Sequence, residues 1–245
     1  MACTILIRQS LRNQKKRMSV FIIPAGEVPV MEIQTDILTT FPGLFISEGD
    51  IGSLTIEMDT SRLKDRADEI IRWVQERYTL DGIRDEPLFR AYRDFFWSVG
   101  VDPTKTRPAS EALVRRVLAG KPLPTINTAV DAYNLASIRT GIPLAAFDAD
   151  CLNGDLMMRF AVDGEEFLGI GMKNPVILKS NQVVLVDNDD IVAIYPYRDS
   201  DATKITRSTE TIHLVACGVP KVEPNQVREA YDLAEQLLEE YASGK

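Results

Sequence analysis

The fold of this chain depends on residues 124–141, which read PTINTAVDAYNLASIRTG. The apolar spacing predicts a helix that ends at Gly141, a residue type favoured just after a helix. Asn127, Asp131 and Asn134 fall at i, i+4 and i+7, so they share one helical face. Buried amides and carboxylates destabilise a fold when they are unpaired. This polar row therefore either hydrogen bonds to neighbouring backbone or lines a binding site.

Hydrophobic periodicity predicts the elements on both sides of this stretch. Helical spacing predicts further helices that begin at Ser61, near Asp85, at Glu111 and at Pro224. Alternating or short apolar runs predict strands, which cover residues 156–162, 183–186, 191–195 and 211–216. Because helices cluster before Gly141 and strands follow it, the pattern predicts an α+β fold and not a doubly wound sheet.

Length and composition indicate an ordinary globular protein. The chain has 245 residues, of which 45% are hydrophobic and 26% are charged. Three scattered cysteines and a single histidine fit neither a disulfide framework nor a zinc site, which favours a cytoplasmic location and predicts no metal and no cofactor. The apolar patch at residues 20–23 is too short for a signal peptide or a membrane span. We interpret residues 1–30 as a mobile basic arm and residues 31–245 as one domain.

The charge distribution is uneven. A net charge of −8 argues against indiscriminate nucleic-acid binding, and no DNA partner is expected. Between Arg90 and Lys121, however, seven basic residues face only three acidic ones. We predict that five of them contact phosphates: Lys105, Arg107, Arg115, Arg116 and Lys121. Two alternatives remain open, namely a solvated helix face with ordinary ion pairs, or a buried pair of Arg115 or Arg116 with Asp131.

Familiar catalytic motifs are missing from the sequence. It contains no glycine-rich phosphate loop, no nucleophile elbow and no pair of histidines. His213, the single histidine, lies within a strand pattern, where a structural role is the more common one. Any hydrolytic chemistry would therefore have to proceed without a side-chain nucleophile.

An ordered series of short motifs resembles the editing and tRNA-binding module of bacterial phenylalanyl-tRNA synthetase beta chains, and still more the free-standing proteins built from that module. The resemblance is strongest over residues 90–220. The matching pieces are Arg115-Arg116, Pro124-x-Ile126-Asn127, Val130-Asp131-x-Tyr133-Asn134, Pro143-Leu144, Phe147-Asp148, Arg159-x-Ala161, Gly164-Glu165, Asp187 and Thr209. Each piece alone is weak, whereas their order is specific.

The resemblance implies a three-layer α+β fold that contains a β-sandwich of unusual topology. It also implies hydrolysis of tyrosyl-tRNA that has been wrongly charged. Two departures bear on that activity. Ala145 stands where the family's PLHAFD motif has its histidine, and residues 197–201, YRDSD, replace the glycine-rich turn whose glutamate recognises tyrosine.

Two functional hypotheses follow. The first is a deacylase that hydrolyses mischarged aminoacyl-tRNA in trans, because an activated ester needs only a positioned water and a stabilised oxyanion. The candidate pocket residues are Asn127, Asn134, Arg159, Arg198 and Asp201. The second is a non-catalytic tRNA-binding or assembly module. In both, the partner is tRNA or aminoacyl-tRNA, and we expect that the chain is not a complete aminoacyl-tRNA ligase because nothing in it reads as an ATP site.

Overall fold

The computed structural model describes residues 31–244, and the predicted arm at residues 1–30 lies outside the described residues. Six α-helices and three short 3₁₀ turns occur in this range. The α-helices are α1 (Thr35–Thr40), α2 (Lys64–Arg77), α3 (Pro87–Ser98), α4 (Ala109–Leu118), α5 (Thr128–Thr140) and α6 (Pro224–Tyr241). The 3₁₀ turns lie at Ser61–Leu63, Ile83–Asp85 and Ala149–Cys151.

Ten strands lie in the same range. They are β1 (Glu32–Ile33), β2 (Ile46–Ile51), β3 (Leu144–Asp148), β4 (Met157–Phe160), β5 (Glu166–Phe167), β6 (Val176–Ile177), β7 (Val183–Val186), β8 (Ile191–Ile194), β9 (Arg198–Asp199) and β10 (Ile212–Cys217). One sheet has the order β1-β4-β7-β8-β9, a second has the order β2-β10-β3, and β5 pairs with β6. Every pairing is antiparallel except that of β1 with β4.

The long helices confirm the predictions from hydrophobic spacing, and α5 shows how its ends are defined. Asn127 is the N-cap, and its side chain accepts a hydrogen bond of 2.8 Å from the backbone N–H of Val130. Gly141 ends the helix with a left-handed φ of 77°. A Cβ atom at Gly141 would also lie 2.6 Å from a methyl carbon of Leu88. Backbone conformation and packing therefore both require glycine there.

The second sheet separates two hydrophobic cores. Ala145 and Phe147 on β3 pack into the core shared with the five-stranded sheet, together with Val215 on β10. Ala146 and Leu214 point the other way, into the core shared with helices α2, α4, α5 and α6. Because side chains alternate along a strand, β3 and β10 bury both faces. The molecule thus has three layers, in which two packed sheets are covered on one side by helices.

These layers confirm the predicted α+β class, although the order of elements is less segregated than the sequence pattern suggests. Strand β2 precedes all the long helices, and its residues pair with β10 from Ile46 opposite Cys217 to Ile51 opposite Ile212. Gly49 interrupts the apolar alternation of β2, which hides the strand in the sequence. A Cβ at Gly49 would lie 2.6 Å from the hydroxyl of Tyr231, so glycine allows α6 to pack closely on the sheet.

One predicted strand is too long. The sequence pattern predicts a strand over residues 156–162, but β4 ends at Phe160 and Val162 is 62% exposed. The predicted end of this strand is therefore wrong. The chain turns there because the Glu165 carboxylate accepts the N–H of Val162 at 2.7 Å and Gly164 adopts a φ of 94°.

Candidate functional site

The candidate site lies where the edges of the two larger sheets meet. Strand β3 is the edge of the three-stranded sheet, β9 is the edge of the five-stranded sheet, and the two strands are in contact. Helix α5 packs beside β3. This seam brings together Asp199 on β9, Ala146 on β3 and Tyr133 on α5, residues that are far apart in the sequence.

Asp199 has the most strongly altered carboxyl group of the described residues. Burial raises its pKa to about 7, although the charge of Arg198 and a hydrogen bond from the backbone N–H of Ala146 act in the opposite direction. A carboxyl group with this pKa exchanges its proton near neutral pH. It therefore has the property required of a general acid or base.

The groups around Asp199 respond to its charge. Burial raises the pKa of Tyr133, and the carboxylates of Asp199 and Asp131 raise it further. Burial and the charge of Asp199 likewise raise the pKa of the Cys217 thiol. The phenol and the thiol therefore stay protonated at neutral pH, which leaves Asp199 as the group in this cluster that titrates there.

A loop from residue 200 to residue 211 borders the seam and is anchored on Asp148. The Asp148 carboxylate accepts a hydrogen bond of 2.6 Å from the hydroxyl of Thr209, and its backbone N–H donates to the carbonyl of Thr203 at 2.9 Å. Asp148 is buried, so this pairing holds the loop rigidly against β3. The buried Thr203 hydroxyl has no hydrogen-bond partner among residues 31–244.

Arg198 precedes Asp199 on β9, and Asp201 lies at the start of the loop that follows. The stem of Arg198 lies over Gly169, where a Cβ would approach its Cγ to 2.5 Å, and its guanidinium donates to the carbonyl of Ile170 at 3.4 Å. Asp201 accepts a hydrogen bond of 2.9 Å from Lys204. Of the five predicted pocket residues, these two are the nearest to Asp199 along the chain.

Asn127 lies at the start of α5 and Asn134 within it, and their side chains have different environments. Asn127 is 4% exposed, and its side chain caps the helix. Asp131 accepts a hydrogen bond of 2.9 Å from the N–H of Ile126. Asn134 instead lines a mainly apolar cavity of about 270 Å³ together with Asp131 and Lys64. The polar row of α5 therefore combines both alternatives, backbone pairing at its start and a cavity wall further along.

Arg159 lies away from the seam. Its guanidinium forms two hydrogen bonds with Glu165, at 2.7 and 3.0 Å, and these contacts lower the pKa of the Glu165 carboxyl against a smaller effect of burial. Strand β4, which carries Arg159, is separated from β9 by three strand spacings, a distance of roughly 14 Å. A pocket role for Arg159 stays a prediction. In the structure Arg159 and Asp199 lie on strands that are not neighbours.

The predicted phosphate-binding residues divide into two groups. Lys105, Arg107 and Lys121 have exposed side chains, as a phosphate contact requires. Arg116 donates to the carbonyl of Pro122. Arg115 donates through Nε to Glu111 at 2.7 Å.

Glu111 is the centre of a buried ion cluster. Its side chain has no exposed surface, and both its oxygens also accept from Arg93, at 3.1 and 3.2 Å. The alternative in which Arg115 or Arg116 pairs with Asp131 is wrong, since Arg115 binds Glu111 and Asp131 binds backbone. The helical spacing of Arg115 four residues after Glu111 explains the preferred pair.

His213 has a structural environment, as its strand position suggests. It lies on β10 between two carboxylates of β2, with Nδ1 at 2.6 Å from Asp50 and Nε2 at 3.2 Å from Glu48. Among residues 31–244 no group of three or more His, Cys, Asp or Glu side chains is arranged to hold a metal ion.

Sequence reasoning missed Asp199 and Tyr133 as site residues. The signal for Asp199 was present, because residues 198 and 199 of a strand point to opposite faces and Arg198 is exposed. Asp199 must therefore turn inward. No local signal in the sequence indicates that Tyr133 lies near Asp199, since this proximity depends on how α5 packs against the sheets.

With the geometry in place, comparison with known proteins defines the class and then the family. The class is a three-layer α+β protein with a polar site at a seam between sheets. Residues 91–243, more than half of the chain, match the B3/4 domain. The chain therefore belongs to the B3/4 domain family.

Its relatives include phenylalanine–tRNA ligase beta subunits. That of Pseudomonas fluorescens is 26% identical over 145 residues, which cover 54% of this chain and 18% of the relative. That of Malacoplasma penetrans is 27% identical over 118 residues, covering 48% and 15%. The matched region thus spans less than a fifth of these relatives. An N-terminal fragment of the phenylalanyl-tRNA synthetase beta-subunit from Pyrococcus horikoshii aligns with a TM-score of 0.41 and 17% identity, over 46% of this chain and 40% of the fragment.

None of the helices within residues 31–244 is both long enough and apolar enough to cross a bilayer.

Proposed function

We propose that this protein binds tRNA and hydrolyses mischarged aminoacyl-tRNA in trans, with Asp199 as the general base. Membership in the B3/4 family supports the tRNA partner, because the relatives are tRNA ligase subunits. The observation that carries the chemistry is the Asp199 carboxyl group with a pKa of about 7 beside strand β3. Such a partner places the protein in the cytoplasm, where tRNA is charged.

Asp199 compensates for the residue that the family pattern has lost. By the sequence resemblance, Ala145 stands where the family motif has its histidine, and the next residue, Ala146, donates its N–H to the Asp199 carboxylate. A carboxyl group that titrates near pH 7 can perform the proton transfer that an imidazole would perform. In this proposal the acid–base group has moved from β3 to β9 while remaining at the same seam.

The reaction uses water as the nucleophile. The Asp199 carboxylate accepts a proton from water as the water oxygen bonds to the ester carbonyl carbon. The ester C–O bond then breaks, and the proton passes from Asp199 to the ribose oxygen, which gives free amino acid and uncharged tRNA. Arg198, on the opposite face of β9, is held over Gly169 and the carbonyl of Ile170, and its positive charge acts on Asp199 against the effect of burial.

Deacylation assays across a panel of mischarged tRNAs test this function. At least one substrate should be hydrolysed faster than in buffer, and Asp199→Asn should lower that rate about 100-fold or more, the usual contribution of a general base. Asp190→Asn is a matched control, because Asp190 lies in the exposed turn before β8. If no tRNA in the panel is hydrolysed, or if Asp199→Asn retains full activity, the proposed chemistry is wrong.

A second function is supported by the occupied side chains of the predicted pocket. Asn127 caps α5 and Arg159 is bound by Glu165, so neither is free to meet a substrate. A non-catalytic tRNA-binding module needs none of these groups. Tight tRNA binding without turnover of any mischarged substrate would favour this second function.

A further inference from the structure

A second cluster of unused binding groups lies on the helical layer, around Trp73 of α2. The guanidinium carbon of Arg139, at the end of α5, lies 3.9 Å from the centre of the indole ring. The guanidinium of Arg77 lies 5.5 Å from the same ring and 5.7 Å from the ring of Tyr78. Cation–π contacts of this kind restrain flexible arginine side chains.

In the described part of the chain, neither of these two arginines has a carboxylate partner. Among residues 31–244 no Asp or Glu oxygen lies within 4 Å of Arg77 or Arg139, whereas Arg93, Arg115 and Arg159 all bind carboxylates. Arg77 donates one hydrogen bond of 3.3 Å to the Tyr78 hydroxyl. A guanidinium has five N–H donors, so most donors of this pair remain available in a restrained geometry.

Both guanidiniums border one open cavity of about 490 Å³. Trp73 and the first turn of α3 form part of its wall, and the size falls within the range of small-molecule sites. Glu86 and Glu229 also line it, so two positive and two negative side chains face the same space. A simple anion would leave the carboxylates unpaired. A ligand that carries both a phosphate and N–H donors uses all four groups.

We propose that this cavity binds one nucleotide unit of an RNA strand. Its phosphate lies on the Arg77–Arg139 pair, as arginine forks favour phosphate oxygens. Its base meets the aromatic wall of Trp73 and Tyr78, and the exocyclic amino group of adenine or cytosine donates to Glu86 or Glu229. The proposal rests on the tRNA-binding function and adds a contact surface separate from the seam at Asp199.

Tryptophan fluorescence reports on this cavity directly. The chain contains two tryptophans, and the other, Trp97, is 57% exposed on α3, so Trp97→Phe leaves Trp73 as the single reporter. We expect tRNA to change Trp73 emission saturably in that variant. Titration with CMP and with inorganic phosphate distinguishes a nucleotide within a strand from a free nucleotide or a bare anion. A response to phosphate alone, equal to that with CMP, would overturn the base contact.

The double variant Arg77→Gln/Arg139→Gln tests the two guanidiniums. It should bind tRNA at least 10-fold more weakly and reduce the salt slope of log K by about 0.7 to 0.9, since the pair holds one phosphate. Arg72→Gln is the control, because it removes one positive charge, as each of the two substitutions does, from an exposed position on α2 outside the cavity. Thermal denaturation of each variant verifies folding.

The outcomes separate this inference from the proposed function. If the folded double variant binds tRNA like the wild type and Trp73 emission does not respond, the cavity is not the contact, while tRNA binding itself stands. If the wild-type protein binds no tRNA, the proposed function fails as well. Weaker binding by the double variant with unchanged affinity in the Arg72 control supports the cavity.

Discussion

Replacing Arg115 with alanine tests whether the basic segment serves stability or tRNA binding. Glu111 is completely buried, and Arg115 provides its shortest hydrogen bond, at 2.7 Å. Removing one partner of a buried ion pair costs about 3–5 kcal/mol, but Arg93 remains bound to Glu111 and both arginines are about one-fifth exposed. We therefore expect a loss of about 2 kcal/mol, within the range of about 1.5–3 for hydrogen bonds to charged groups.

In a chain of this size, such a loss lowers the melting temperature by about 4–8 °C. Thermal and urea denaturation measure it, and Arg107→Ala is the matched control, because its exposed side chain should change stability by less than about 0.5 kcal/mol. The same samples, when folded, are then titrated with tRNA. A phosphate contact at Arg107 should weaken binding without changing the melting temperature.

A further substitution isolates the physical cause. If the cost of Arg115→Ala arises from the uncompensated carboxylate, adding Glu111→Gln should recover part of the lost stability, because the buried charge is then gone. An Arg115→Ala variant that melts within 2 °C of the wild type would refute the reasoning about the buried cluster. A variant that is destabilised yet binds tRNA normally when folded would remove Arg115 from the phosphate-binding set.

Three other predictions concern single side chains. Folding raises the pKa of Asp199 from 3.8 to about 7, so the wild-type protein loses stability as pH rises across that interval. Asp199→Asn should therefore melt at a higher temperature than the wild type at pH 8 but not at pH 4. Burial lowers the pKa of His213, but the hydrogen bonds that the ring donates to Glu48 and Asp50 outweigh burial and raise the pKa. Its contribution to stability is thus complete below about pH 6.5 and lost as pH rises through the folded-state pKa, and urea denaturation of His213→Gln should show a flatter pH dependence in that interval. Asn127→Ala removes the cap of α5 and should cost about 1 kcal/mol in urea denaturation.

In the proposed function, the seam at Asp199 and the cavity beside Trp73 have different roles. Asp199 supplies proton transfer, so its substitution should lower the rate of the chemical step. The Arg77–Arg139 pair supplies binding, so its substitution should raise KM and leave the rate at saturation unchanged. Single-turnover deacylation at saturating protein separates these two effects.

The sequence by itself determined the long helices and where α5 ends. Apolar residues three and four positions apart must share a face, and Gly141 is tolerated in a left-handed conformation that other residues avoid, so these signals are local. Strand β7 was also predictable, because a run of apolar residues such as Val183–Val186 indicates a strand buried on both faces. Strand β2 was not, since Gly49 and two acidic residues break its alternation.

Only the tertiary structure decided which polar groups act together. The pKa of Asp199 depends on burial between β3 and β9 and on a hydrogen bond from Ala146, which is 53 residues away in the sequence. Arg77 and Arg139 are available because, among residues 31–244, no carboxylate lies within 4 Å of either guanidinium, while Arg115 is occupied because the α4 helix places Glu111 one turn before it. Residue type identifies a group that can ionise or bind. Its solvent exposure and its partners set its pKa and its free donors, and these arise when distant segments pack.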